Sequence, residues 1–345
     1  AGLFDLELHE KKIKEYQPSL AKLDLVIDWE MFRETIEKAL YVEPKGAGGR
    51  PPFDKIMMFK ILILQKYYNL SDEQTEFQIN DRTSFKQFLG LKIGDTIPDE
   101  KTIWHFKEQL ANKDLSKSLF EMFAVALMDK GIIAKEGSIV DATFVDVPKQ
   151  RNSKEDNADI KKGAVPLKFG KKDKNGKQSK LCQKDTDARW MTKSGEKHFG
   201  FKDHINADEK TKLITKYSVT SAAPHDSTEI ENIVDETDNR LHADSAYRSK
   251  EIEEHLKAIE CESFVHEKGY RGSPLTEQQK ESNNKKSKIR ARVKHIFGFM
   301  TNSMNNALYM RSIGIKRIKE SIGLLNLTYN HFRFEQLIRL EKVKI

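Results

Sequence analysis

The chain has 345 residues, more than one domain ordinarily needs, so two units with ample chain to bury a core are expected. Sixty Lys and Arg against 53 Asp and Glu give a net charge of +7 and a pI near 9.0, and the bases are clustered, which favours a polyanion such as nucleic acid over a small acidic substrate. The two cysteines, Cys182 and Cys261, have no zinc-ligand spacing, and no apolar run nears the roughly 18 residues of a membrane span or forms a leader, so a zinc site and a membrane location are not expected and a reducing cytoplasm is.

Residues 1–45 read as helical pieces, and Gly46-Ala47-Gly48-Gly49-Arg50-Pro51-Pro52 breaks the pattern as a loop or linker. Asp54 is placed to cap a helix whose Ile56, Phe59, Ile63 and Tyr67 recur at helical spacing, and Ser71-Asp72-Glu73-Gln74 has the form of a capping box. Thr83 to Leu89 forms a further helix, and Ile97 to Lys107 opens another with Lys101, His105 and Lys107 exposed. This last helix reads either as the reader of a helix-turn-helix lying in a major groove or as part of an ordinary bundle with Trp104 and Phe106 in its core. Leu115, Leu119, Phe120, Phe123, Ala126 and Leu127 mark an amphipathic helix ending at Gly131. Residues 1–130 are thus expected as an all-helical domain and residues 131–345 as a second one.

The second unit opens on Gly137 to Val147, a β-branched run with a carboxylate at its centre. Asp141 would lose its water there at a cost of several kcal/mol unless something pairs with it. A metal ion would serve; the alternative is a strand-end aspartate bonded to a neighbouring turn. Residues 147–186 are rich in lysine and glycine and read as a long flexible loop over a phosphate backbone. Residues 197–208 and 213–220 look like an antiparallel hairpin, 228–236 a helix, and Asn239 to Tyr247 a short strand running into Asp244. A helix over 249–256 and a strand over 263–266 follow, and the order gives a mixed α/β sheet with helices on its faces. Asp141 and Asp244, 103 residues apart, are candidates for one metal site. Ile289, Val293, Ile296, Phe297, Met300 and Met304 then fall at helical spacing, while Lys285 to Lys294 contribute six bases and no acid, so one helix with a basic leading end is expected, followed by C-terminal helices.

Gly49-Arg50-Pro51-Pro52, Pro98-Asp99-Glu100-Lys101-Thr102, Asp187-Ala188-Arg189-Trp190, His198-Phe199-Gly200-Phe201-Lys202 and His242-Ala243-Asp244-Ser245-Ala246-Tyr247, with the two aspartate strands and the basic helix, resemble DDE-type transposases of bacterial insertion sequences, particularly the insertion-sequence-five family. The resemblance covers nearly the whole chain. It implies an RNase H-like core in which Asp, Asp and Glu hold two Mg²⁺ (or Mn²⁺) ions for DNA cleavage and strand transfer. It also implies double-stranded DNA partners, namely terminal inverted repeats and target, a homodimer that pairs two ends, and a nucleoid-associated place in a bacterial cytoplasm.

Residue by residue, Asp141 matches the first catalytic acid and metal ligand, Asp244 the second, and Arg290 the arginine four residues before the third acid. Where the family reads Val-Glu-His, this chain has Val293-Lys294-His295, so Lys294 stands at the Glu position with an ammonium that cannot ligate a cation. Glu267 and Glu281 are upstream substitutes without the helix context. Arg50, Lys101, His105, Lys107, Lys285, Lys286, Lys288, Arg290 and Arg292 are the expected DNA contacts. Three readings follow: an impaired transposase, a silenced DNA-binding protein derived from one, and an RNase H-like nuclease of other purpose. The separate N-terminal reader argues against the third.

Overall fold

The computed structural model describes the chain except residues 1–4, 17, 44, 45, 47–50, 134, 135, 173–177, 181, 182, 194, 344 and 345. Most of the glycine-rich 46–50 stretch, Arg50 and Cys182 therefore lie outside the described residues.

The N-terminal half is helical: α1 (Asp5–Glu15), α2 (Ser19–Val26), α3 (Arg33–Ala39), α4 (Lys55–Tyr68), α5 (Asp72–Asp81), α6 (Thr83–Leu89), α7 (Glu100–Asn112) and α8 (Leu115–Asp129). Its expected caps are present. Asp54 accepts from the Met57 N–H at 2.9 Å, Asp99 from that of Thr102 at 2.7 Å, and Ser71 and Gln74 close a reciprocal capping box on α5. On α7 Phe106 is core, whereas Trp104 remains 49% exposed.

The remainder comprises β1 (Ser138–Asp146), α9 (Lys154–Lys161), β2 (Gly170–Lys172), β3 (Gln178–Lys180), β4 (Arg189–Lys193), β5 (Glu196–Asp208), β6 (Ile214–Ser221), α10 (Ile230–Ile233), β7 (Arg240–His242), α11 (Lys250–Ala258), β8 (Glu262–Ser263), α12 (Glu277–Arg290), α13 (Val293–Gly298) and α14 (Ile315–Arg339). β6, β5 and β1 run antiparallel to their neighbours, and β7 and β8 then join parallel, giving the spatial order β6-β5-β1-β7-β8 with β4 also on β5. This mixed sheet agrees with the RNase H-like core expected from the sequence, joined to a helical N-terminal region.

Alternation along β1 sends Ile139 and Val145 into the larger apolar cluster and Val140 into a smaller one with Ile230, Ile233, Leu241, Tyr247 and Leu256. Helices thus cover both faces of the sheet. The larger cluster is continuous from α2, α4 and α8 through the sheet to α14, so apolar residues on either side of position 130 share one core. No helix among the described residues is long and apolar enough to cross a membrane.

Three expectations change. The basic 147–186 stretch carries α9, opened by a Ser153–Asp156 capping box, and the small β2–β3 hairpin. The helix expected over 228–236 is shorter, a 3₁₀ turn at Asp226–Glu229 leading into α10. The helix expected to run through 289–304 breaks at Ala291-Arg292, resumes as α13, and ends in a π turn over Phe299–Ser303. At the break the N–H groups of Arg292, Lys294 and His295 bond carbonyls three residues back rather than four. Side-chain anchors on both sides hold this tighter winding: Arg290 reaches the two aspartates, and Arg292 donates to the Glu209 carbonyl at 2.7 Å.

Candidate active site

The register of two strands brings the aspartates together. β1 pairs parallel with β7 through Ser138 opposite Leu241 and Ile139 opposite His242, and two residues further on stand Asp141 and Asp244. Asp141 lies within β1, with its Oδ1 accepting from the Ala142 N–H at 2.9 Å. Asp244 lies just past β7 and caps a short 3₁₀ turn, its Oδ1 accepting from the Ala246 N–H at 2.8 Å. Each carboxylate so fixes one oxygen on its own backbone and turns the other to a shared neighbour.

That neighbour is Arg290, the last residue of α12, which crosses β1 and β7. Its Nη2 donates to Asp141 Oδ2 at 3.1 Å and to Asp244 Oδ2 at 3.3 Å. The Arg290 side chain is only 23% exposed, and its Nε is buried with no acceptor among the described residues. One cation therefore already stands between two carboxylates carried by different strands. Burial pushes the Asp141 carboxyl above its usual range, opposed by the Arg290 charge and the Ala142 N–H, and the nearby Asp244 charge adds to the rise.

Tyr247 lies close enough to both aspartates to feel their charges. It is buried, and its hydroxyl has no partner among the described residues. Burial, then the charges of Asp141, Asp226 and Asp244, push that hydroxyl well above its ordinary value, so Oη keeps its proton. His266, close to Arg290 and Asp244, is held below its ordinary value by burial and by the guanidinium. The sequence reading missed both roles, although an aromatic three residues after Asp244 was visible in the motif.

Lys294 is not brought to the aspartates. It is exposed and lines a separate cavity with Lys212, Tyr329 and Arg333. Four residues at 3.6 per turn leave about 40° between side chains, but at 3.0 per turn about 120°, so the tightened winding carries residue 294 off the Arg290 stripe. Glu267 is tied to Arg248 and Lys286, each at 3.3 Å, and Glu281 is an exposed partner of Lys285 at 3.0 Å. Asp226 is paired with Lys202 at 2.7 Å. Among the described residues no three His, Cys, Asp or Glu form a metal-binding group.

Of the expected DNA contacts, Lys101, His105 and Lys288 are exposed, while Lys107 pairs with Asp72 and Lys285 with Glu281. Lys286 is held by the Val265 carbonyl and Glu267, and Arg290 and Arg292 face the fold as described.

Residues 7–109 match the family model of a transposase domain (DUF772), and residues 133–331, more than half of the chain, match that of a transposase DDE domain. No solved structure matches the chain. The DDE match begins just before β1 and takes in Asp141, Asp244 and Arg290. With a mixed sheet that sets two strand-borne carboxylates side by side and the matching helical region ahead of it, the chain belongs to the DDE transposases of insertion sequences.

Proposed function

We propose that this transposase binds the terminal inverted repeats of its element, of the insertion-sequence-five type, and cleaves and joins DNA strands at Asp141 and Asp244 with a divalent cation, Mg²⁺ or Mn²⁺. The observation that carries the reading is the convergence of both carboxylates on a single cationic nitrogen, at 3.1 and 3.3 Å. Mg²⁺ is commonly held through one or two carboxylates together with substrate phosphates, so this donor set fits one ion. A complete site of the family would hold two ions, and position 294, where its third acid is expected, offers an ammonium instead. Weak catalysis follows, with DNA binding retained.

When bound, the ion supplies Lewis-acid polarisation of the scissile phosphodiester and lowers the pKa of water. The protein's own groups do the rest. Asp141 and Asp244 would hold the cation, and Arg290, which now bonds both carboxylates, would then have its fork free to grip a phosphate. Tyr247 Oη, protonated and without a partner among the described residues, would donate a hydrogen bond to substrate. Lys101 and His105 on α7, with Arg50 ahead of it, meet the DNA ends as a helix-turn-helix-like reader, and a homodimer brings two ends together.

The test is cleavage of labelled terminal-repeat DNA with Mg²⁺ or Mn²⁺. A low, metal-dependent rate is expected in the parent protein and background cleavage in Asp141→Asn and Asp244→Asn, with duplex binding kept in all three. Undiminished cleavage in either variant would sink the assignment. The silenced reading, favoured by the missing third carboxylate, predicts no cleavage in the parent at any metal concentration.

A further inference from the structure

A second concentration of charge lies apart from the aspartates. A cavity of about 430 Å³ is walled by the β5–β6 turn, α13 and α14, with Lys212, Lys294, His295, Tyr329, Arg333 and Gln336 among its lining. Among the described residues no carboxylate lines it. The turn beneath is firmly built: Arg292 donates to the Glu209 carbonyl at 2.7 Å, Arg333 Nε to the Thr211 carbonyl at 2.6 Å, and the Tyr329 hydroxyl to the Lys212 carbonyl at 2.9 Å. Arg333 also donates to Gln336 Oε1, which fixes its guanidinium. Two arginines are thus held by carbonyls, which orient them, and neither has a carboxylate partner among the described residues.

The crowding registers on Lys212. Burial first, then the charges of Arg333, Arg292 and Lys342, hold its ammonium below the ordinary value. Like charges fixed together without a counter-charge repel, and an anion relieves that repulsion. The donors present, a fixed arginine fork and mobile ammonium groups, suit a tetrahedral oxyanion.

We propose that this cavity binds a backbone phosphate of the DNA substrate, with Lys294 and Lys212 as its ammonium ligands. The proposal rests on the DNA-binding reading above, and it gives Lys294 a task of its own in place of the carboxylate that the family expects there.

Two measurements test it. In a salt titration of duplex binding by fluorescence anisotropy, Lys212→Asn/Lys294→Gln is expected to bind terminal-repeat DNA about tenfold or more weakly and to flatten the log–log salt slope by about 1 to 2. Asn is chosen because Lys212 has a φ of +62°, which Asn tolerates. In a thermal melt, sodium tripolyphosphate is expected to raise the Tm of the parent and not of the double variant. Should the double variant fold poorly, Lys294→Gln alone, at an exposed position, is expected to flatten the slope by about 1. Parent-like affinity and slope in a variant that folds would overturn the proposal. A parent that fails to bind DNA would instead sink the DNA-binding reading; the tripolyphosphate melt would then decide alone, and an equal response of parent and variant would overturn the phosphate site.

Discussion

His331 is enclosed by rings, with centroids of Phe123, Trp29 and Phe32 at 4.6, 5.3 and 5.8 Å, and neither of its nitrogens has a partner among the described residues. Burial pushes its pKa down to about 3. The unfolded chain therefore takes up a proton near pH 6.5 that the folded chain refuses until about pH 3, and stability falls as pH falls through that window, by roughly 1.4 kcal/mol per pH unit. His331→Phe removes both unpaired nitrogens and the proton uptake. Urea unfolding at pH 7.5 and pH 4.5 is expected to show that the variant loses less stability on acidification than the parent. An equal loss would assign acid sensitivity to other groups.

Among elements, the break between α12 and α13 decides what residue 294 can reach. A regular α-helix from Arg290 onward would return position 294 to the stripe of Arg290, the side chain that meets Asp141 and Asp244. With that winding a carboxylate at 294 would join the two aspartates, so Lys294→Glu is expected to raise metal-dependent cleavage of terminal-repeat DNA, by about tenfold rather than fully, because Lys212 and Arg333 compete for the new carboxylate. The rates are compared at saturating DNA, and unchanged cleavage would place the third ligand elsewhere. This break was not legible in the sequence, since Ile289, Val293 and Ile296 keep helical spacing straight across it; its cause is tertiary, in what Arg290 and Arg292 grasp. The aspartates were legible because a carboxylate within an apolar strand demands a partner, but the identity of that partner, an arginine 149 residues on, was not. Caps such as Asp54, Ser71 and Asp99 were local and could be read directly. α9 was passed over although Ser153 and Asp156 carry a box of the same kind, because the surrounding lysines suggested only a loop.

Across the whole molecule, α14 is the element that joins the halves. It is buried on nearly every side from Ile318 to Leu337 and packs on α8, α4, α7, α2 and β6. A helix so placed makes the N-terminal helices and the sheet parts of one cooperative unit. Calorimetry of the full chain is expected to give a single transition, with residues 1–130 alone failing to show protected amides in hydrogen exchange; two resolved transitions would mean that the halves are stable separately. The position of α14 along the chain also matters during synthesis. At about 5 to 20 residues per second, the stretch from Asp129 to Ile315 takes roughly ten to forty seconds to translate. For about that long α2, α4 and α8 wait without the helix that covers them, and once they emerge from the ribosome their apolar faces are open to chaperones in the nascent chain.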